Sequence, residues 1–289
     1  MHEPVRVMAL GMELGECPLW DHRTGTLWWI DIIRCELFAL DWRTDAMRRF
    51  PLPALGGGLG LLPGNRLLVA VQTGLFAFDP ATETYEFLFD PEPDRPDNRL
   101  NEGKTDVDGR FWIGSICTLG RRPQGALYRI DAPGEVIKML GGVHVPNSLA
   151  FAKDGSVSFA DSHVKRIQRY RLDGATLVKT GIFVDESDKD WIPDGIALGT
   201  EGDVFSAKFG GGRVTVYGPE GDEAQVLHLT ATQVTSCCFA GPQLDHLVVT
   251  TAKRLLDDEA RLKQPQAGDL FIFRTGHSGV REPVCTVFE

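Results

Sequence analysis

The chain has 289 residues, 43% of them hydrophobic, with a formal net charge of -10, enough for one large all-β domain or two smaller ones. The acidic balance excludes a basic nucleic-acid face and disfavours an anionic membrane surface. No apolar run approaches the roughly 18 residues that span a bilayer and no charged-then-apolar leader opens the sequence, so a cytoplasmic protein with neither nucleic-acid nor membrane partners is expected.

In chain order, strand-like segments appear at "LWWID" (27–31), "LLVAV" (67–71), "FWIGS" (111–115), "VSFAD" (157–161), "VFSAK" (204–208) and "LVVTT" (247–251). Their starts are 40, 44, 46, 47 and 43 residues apart. A second segment follows each, from "LFALD" (37–41) to "LFIFR" (270–274), and turns such as "DVDGR", "AKDGS" and "GTEGD" punctuate the series. Six such units with room for four strands predict an all-β fold, a six-bladed β-propeller with four antiparallel strands per blade. The expectation is a single domain over residues 1–289, closed by pairing "VRVMAL" near the start with "PVCTVF" near the end.

Six cysteines without a CxxC pair predict buried free thiols. Seven histidines show no HxH or HExxH spacing. "GGGLGLLPG" leads into no helix and is not a nucleotide loop, and the consecutive Asp161, Ser162 and His163 alternate faces rather than form a triad. "LDDEARLKQ" reads as a solvated connection or helical turn.

Counting back from turn glycines gives a register. Asn101, Asn147 and Asp194 each stand eight residues before Gly109, Gly155 and Gly202; Glu16 stands nine before Gly25. The same offset in blade two lands on Gly56, and blade six offers Ser236. Equivalent strand heads in a propeller face one level of its channel, so Glu16, Asn101, Asn147 and Asp194 are expected to converge. Two carboxylates and two amide oxygens suit one divalent metal ion in the central channel, Ca²⁺ first, with Mg²⁺, Mn²⁺, Zn²⁺ or Fe²⁺ as alternatives.

"LGECP" (14–18), "NRLNEGKTDVDGRFWIGS" (98–115), "GALYRID" (125–131), "VPNSLAF" (145–151), "IPDGIAL" (192–198), "VTSCCFAG" (234–241) and "RLKQPQAGDLF" (261–271), in this order, resemble the gluconolactonase/senescence marker protein (regucalcin) family. The resemblance implies metal-dependent hydrolysis of a small-molecule sugar lactone, with Glu16, Asn147 and Asp194 as metal ligands and Arg99, Asn101 and Glu102 in substrate binding. Glu102 stands where the family has Asp, and Ser148 follows Asn147 where Gly is common; both bear on substrate preference. Ester hydrolysis needs a proton acceptor, and Asp194 is the expected general base, Glu16 a structural ligand. Lys104 either assists or pairs with Glu102, Trp191 packs on substrate or on the rim, and the 118–125 loop covers the channel mouth. The same scaffold also suits a phosphotriesterase-like hydrolase or a non-enzymatic calcium-binding propeller. A monomer or weak homodimer is expected.

Overall fold

The computed structural model describes residues 3–120 and 122–288, and each expected repeat is a four-stranded sheet. Blade one runs from strand Gly15–Asp21 to Met47–Pro51, and blade two from Gly56–Leu62 to Thr84–Phe89. Blade three spans Asn98–Thr105 to Glu135–Val143, and blade four Pro146–Phe151 to Thr176–Asp185. Blade five spans Ile192–Leu198 to Glu223–His228; blade six begins at Val234–Ala240 and reaches Leu270–Arg274. Neighbouring strands pair antiparallel, which is the fold class predicted: a six-bladed β-propeller, four strands per blade.

Blades one, five and six belong to one compact unit, Met1–Arg49 with Glu186–Arg281. Blades two, three and four form the other, Phe50–Asp185 with Glu282–Glu289, and the boundary falls inside the last strand of blade one. In blade two the first strand is buried at every residue, the second at all but Arg66, while the fourth has no buried residue. A strand covered on both faces needs a continuous apolar run rather than alternation, which is why the second strands stood out in the sequence. Trp29, stacked on Phe38 at 5.2 Å, anchors the cluster shared by blades one and six. Each such ring or branched side chain taken out of water contributes about 1.5–3 kcal/mol.

The expected closure is corrected. Arg6–Met8 does join blade six, but its partner is Leu270–Ile272, not the last residues. Residues 283–288 instead run beside the first hairpins of blades two and three: Val284 bridges Leu61, Thr286 N donates to the Gly109 carbonyl, and Cys285 is fully buried among Leu62, Phe111 and Ile113. All six cysteines are free as expected, though Cys17 and Cys35 are only half-buried. The 256–264 segment holds the short helix Asp258–Lys263, capped by Asp257, whose carboxylate accepts from Ala260 N at 2.7 Å. Among the described residues no helix is long and apolar enough to cross a membrane.

Candidate functional site

The four polar strand heads share a position within their own blades. Asp21, Asp106, Ala152 and Gly199 are the last residues hydrogen-bonded across their hairpins, and Glu16, Asn101, Asn147 and Asp194 lie five residues before them. The longer offset of Glu16 is an extra turn residue: His22–Gly25 makes a four-residue turn where the others have three. The same count places Gly57 rather than Gly56 in blade two, and Thr235 rather than Ser236 in blade six.

At this position every first strand carries a bulge. Pairing slips between Glu16 and Leu19, Gly56 and Gly58, Asn101 and Gly103, Asn147 and Ala150, Pro193 and Ile196, and Val234 and Ser236. Cys17, Glu102 and Ser148, the residues just after Glu16, Asn101 and Asn147, take φ of 52°, 48° and 53°. That left-handed backbone is unusual outside glycine, and a bulge of this kind re-aims the neighbouring side chain. In blade five the following residue is Gly195, where a Cβ would collide with the Ser236 side chain.

Within the second unit the structure brings two of the residues together. Asn101 Nδ2 donates to the Pro146 carbonyl at 2.9 Å and to Asn147 Oδ1 at 3.3 Å. Asn147 Nδ2 donates to the buried Ser162 Oγ at 2.9 Å, so its carbonyl oxygen is the acceptor presented on the opposite side. Arg99 Nη1 is held by the carbonyls of Leu100 (2.9 Å) and Gly56 (3.5 Å). Glu102 is buried beside the Leu149 backbone N–H, and burial raises its pKa to about 7, against the pull of Lys104 and that N–H. Lys104, whose charge acts on Glu102, forms an ion pair with Glu282 at 2.9 Å.

Within the first unit, Glu16 is half-buried and Asp194 5% exposed, and both first strands flank that of blade six. Thr235 Oγ1 donates to the Gly15 carbonyl at 2.5 Å, and Gly195 packs against Ser236. Trp191 is turned to the framework, donating to Glu186 Oε1 at 2.8 Å beneath the Arg213 guanidinium at 4.5 Å. In the 118–125 loop Leu119 is exposed, and Arg121 lies outside the described residues.

A bracing position went unread in the sequence. The residue paired with the one just before each strand head is Asp31, Ser115, Asp161 or Lys208. Asp31 accepts from the backbone N–H groups of Glu13 (2.9 Å) and Leu14 (3.2 Å), leading into Glu16. Asp161 does the same for His144 (2.9 Å) and Val145 (3.1 Å), leading into Asn147. In blade five Lys208, fully buried, replaces the carboxylate. Its Nζ reaches Glu186 Oε2 and Ser206 Oγ, each at 2.8 Å, while Glu186 Oε1 also accepts from Tyr217 OH at 3.0 Å. The signal was present: "LWWID" and "VSFAD" both end apolar strands on Asp, and "VFSAK" ends one on Lys.

The donor chemistry fits a hard cation. Glu16, Asn147 and Asp194 each carry a side-chain oxygen donor, and the Ser162 bond turns the Asn147 amide so that its oxygen, which accepts from Asn101, lies on the other side. Among the described residues no three His, Cys, Asp or Glu side chains form a metal cluster, which a set of two carboxylates and one amide does not require.

Bulged strand heads recur blade by blade in this all-β propeller, four of them bearing side-chain oxygens. The chain belongs to the SMP-30/Gluconolactonase/LRE-like region family, whose model matches residues 14–253. It is similar to a 6-deoxy-6-sulfogluconolactonase of Pseudomonas putida, 31% identical over 274 residues and 94% of each chain. It is also similar to a regucalcin of Xenopus laevis, 28% identical over 275 residues and 92% of each. A solved structure of a calcium-binding regucalcin from Agrobacterium tumefaciens matches with a TM-score of 0.92 at 31% identity, over 98% of both chains.

Proposed function

We propose that this chain hydrolyses sugar lactones with the help of one divalent metal ion. The observation that carries the reading is the common position of Glu16, Asn101, Asn147 and Asp194, each five residues before the last residue hydrogen-bonded across its hairpin and each at a bulge. Family membership and lactonase-named relatives support the reaction class. Glu16, Asn147 and Asp194 would hold the metal, calcium by the chemistry of the donors and by likeness to a calcium-binding relative. When bound, such a cation supplies Lewis-acid polarisation of the ester carbonyl.

The chain's own residues supply the rest. Asp194, a buried carboxylate at the head of its strand, takes the proton from the attacking water. Arg99, its guanidinium steadied by two backbone carbonyls, and Asn101 bind the substrate's hydroxyl groups. The ring opens when the alkoxide oxygen leaves and is protonated, giving the open-chain sugar acid. Glu102, a methylene longer than the family's residue, is drawn inward toward Leu149 and shifts the choice of sugar.

The test is proton release from D-glucono-δ-lactone, with and without chelator, for the native chain and Asp194→Asn. Turnover that chelation abolishes and calcium restores is expected, with Asp194→Asn losing at least a hundredfold in kcat. Undiminished turnover after exhaustive chelation refutes the metal reading; full turnover by Asp194→Asn with calcium still bound refutes the base.

A further inference from the structure

Beside Arg99, within the second unit, lies a cleft of about 300 Å³ that neither the proton transfer nor the metal uses. One wall is the turn at Gln72 and Thr73, the other the 90–97 segment with Pro93, Arg95 and Pro96, and Arg99 and Leu100 form the floor. Its volume sits at the lower end of small-ligand sites, the size for one sugar-like molecule or part of one.

The second wall is built to hold its shape. Glu92 is buried, and its carboxylate is fully engaged from behind, accepting from Asn98 Nδ2 at 3.0 Å and Tyr128 OH at 2.6 Å. Its own N–H donates to Asp90 Oδ1 at 2.8 Å. Arg95 N donates to the Glu92 carbonyl, and Asn98 N to the Arg95 carbonyl, both at 2.9 Å. A crossover fastened this way meets a ligand without first having to be ordered.

The lining identifies the ligand. Thr73 offers a hydroxyl, Gln72 an amide, Arg95 a guanidinium and Asp90 a carboxylate, set beside two proline rings. Acidic and basic groups are balanced, so neither an anion nor a cation is singled out. Mixed donors and acceptors interleaved with aliphatic ring faces match a chain of hydroxylated carbons, where every carbon brings a C–H face and an O–H that both donates and accepts.

We infer that this cleft is the subsite for the hydroxylated chain outside the lactone ring, so that the protein selects polyhydroxylated lactones over bare rings. The inference rests on the lactonase reading, because Arg99 joins the cleft to Asn101 two residues on. The ring lies toward Asn101, and the chain extends past Arg99 between Thr73 and Arg95.

The experiment compares D-galactono-γ-lactone, which carries two hydroxylated carbons outside its ring, with unsubstituted γ-butyrolactone. The native chain is expected to favour the first in kcat/KM by at least a hundredfold. Thr73 is exposed, so Thr73→Trp fills the cleft without entering the core, and it should cut that ratio at least tenfold; Arg95→Ala should cut it about threefold. An unchanged ratio in Thr73→Trp, with a melting curve like that of the native chain, overturns the inference. If the native chain hydrolyses neither lactone, the lactonase reading fails, and the cleft is tested alone by galactitol in ligand-observed NMR. Saturable galactitol binding that Thr73→Trp abolishes supports the subsite, and no binding by the native chain overturns it.

Discussion

Replacing Lys208 by methionine removes one charge of a fully buried ion pair while keeping the side chain's length. Lys208 is 0% and Glu186 2% exposed, and they meet at 2.8 Å. Without the ammonium, Glu186 keeps, among the described residues, the donors Trp191 Nε1 and Tyr217 OH. Stranding one partner of a buried pair costs about 3–5 kcal/mol, and the two remaining donors hold this case to about 3. At roughly 2–4 °C per kcal/mol for a large domain, the melting midpoint should fall by about 6–12 °C. Adding Glu186→Gln removes the stranded charge and leaves an amide oxygen for Trp191 and Tyr217. The double variant should therefore recover to within about 1 kcal/mol of native, about 2 kcal/mol more stable than Lys208→Met alone in guanidinium unfolding. The reasoning fails if Lys208→Met alone costs under about 1 kcal/mol, or if the two changes simply add.

Asp161→Asn puts an NH₂ group against backbone donors that now share a carboxylate, and a loss of about 2 kcal/mol in unfolding free energy is expected. Gly57→Ala drives a Cβ into the Leu100 carbonyl, a backbone atom with nowhere to move, and should cost about 3 kcal/mol by the same measurement. Gly64→Ala, with open space but φ of 70°, should cost about 1 kcal/mol. Glu102 holds its proton more tightly folded than unfolded, with a pKa of about 7 against 4.5, so its contribution to stability is greatest below 4.5 and declines as pH rises to 7. Urea unfolding of the metal-free chain should show this slope, at most about 1.4 kcal/mol per pH unit, and Glu102→Gln should remove it.

The repeat was legible because each second strand is packed on both faces and so spells a continuous apolar run between glycine turns. Closure was not. "VRVMAL" and "PVCTVF" are equally strand-like, and neither pattern nor propensity says which lies beside Leu270–Arg274. What decides is a tertiary fact: Cys285 fills a place in the apolar cluster of blades two and three, next to Leu62 and Phe111, and that holds residues 283–288 beside those blades. A single buried thiol carries no periodicity from which this could be read.

The polar strand heads were legible as residue types, but the geometry that aims them was not, because a bulge hides inside a period-two pattern as one unremarkable extra residue. The braces show more. Asn147 is neutral, and the brace beside its strand entry is the carboxylate Asp161. Asp194 is a buried carboxylate, and a second anion opposite Pro193 would raise the cost of ionising it. There the chain places a lysine, and neutralises that lysine in turn with Glu186, a residue eight positions upstream on the crossover. The pair adds no net charge, yet it ties the crossover, Trp191 and the second strand of blade five together around the entry to Asp194. Blade five thus holds its strand head with a buried ion pair where blade four uses a single aspartate; blade one sets the aspartate Asp31 beside the half-buried Glu16, so it is the burial of Asp194 together with its charge that distinguishes blade five.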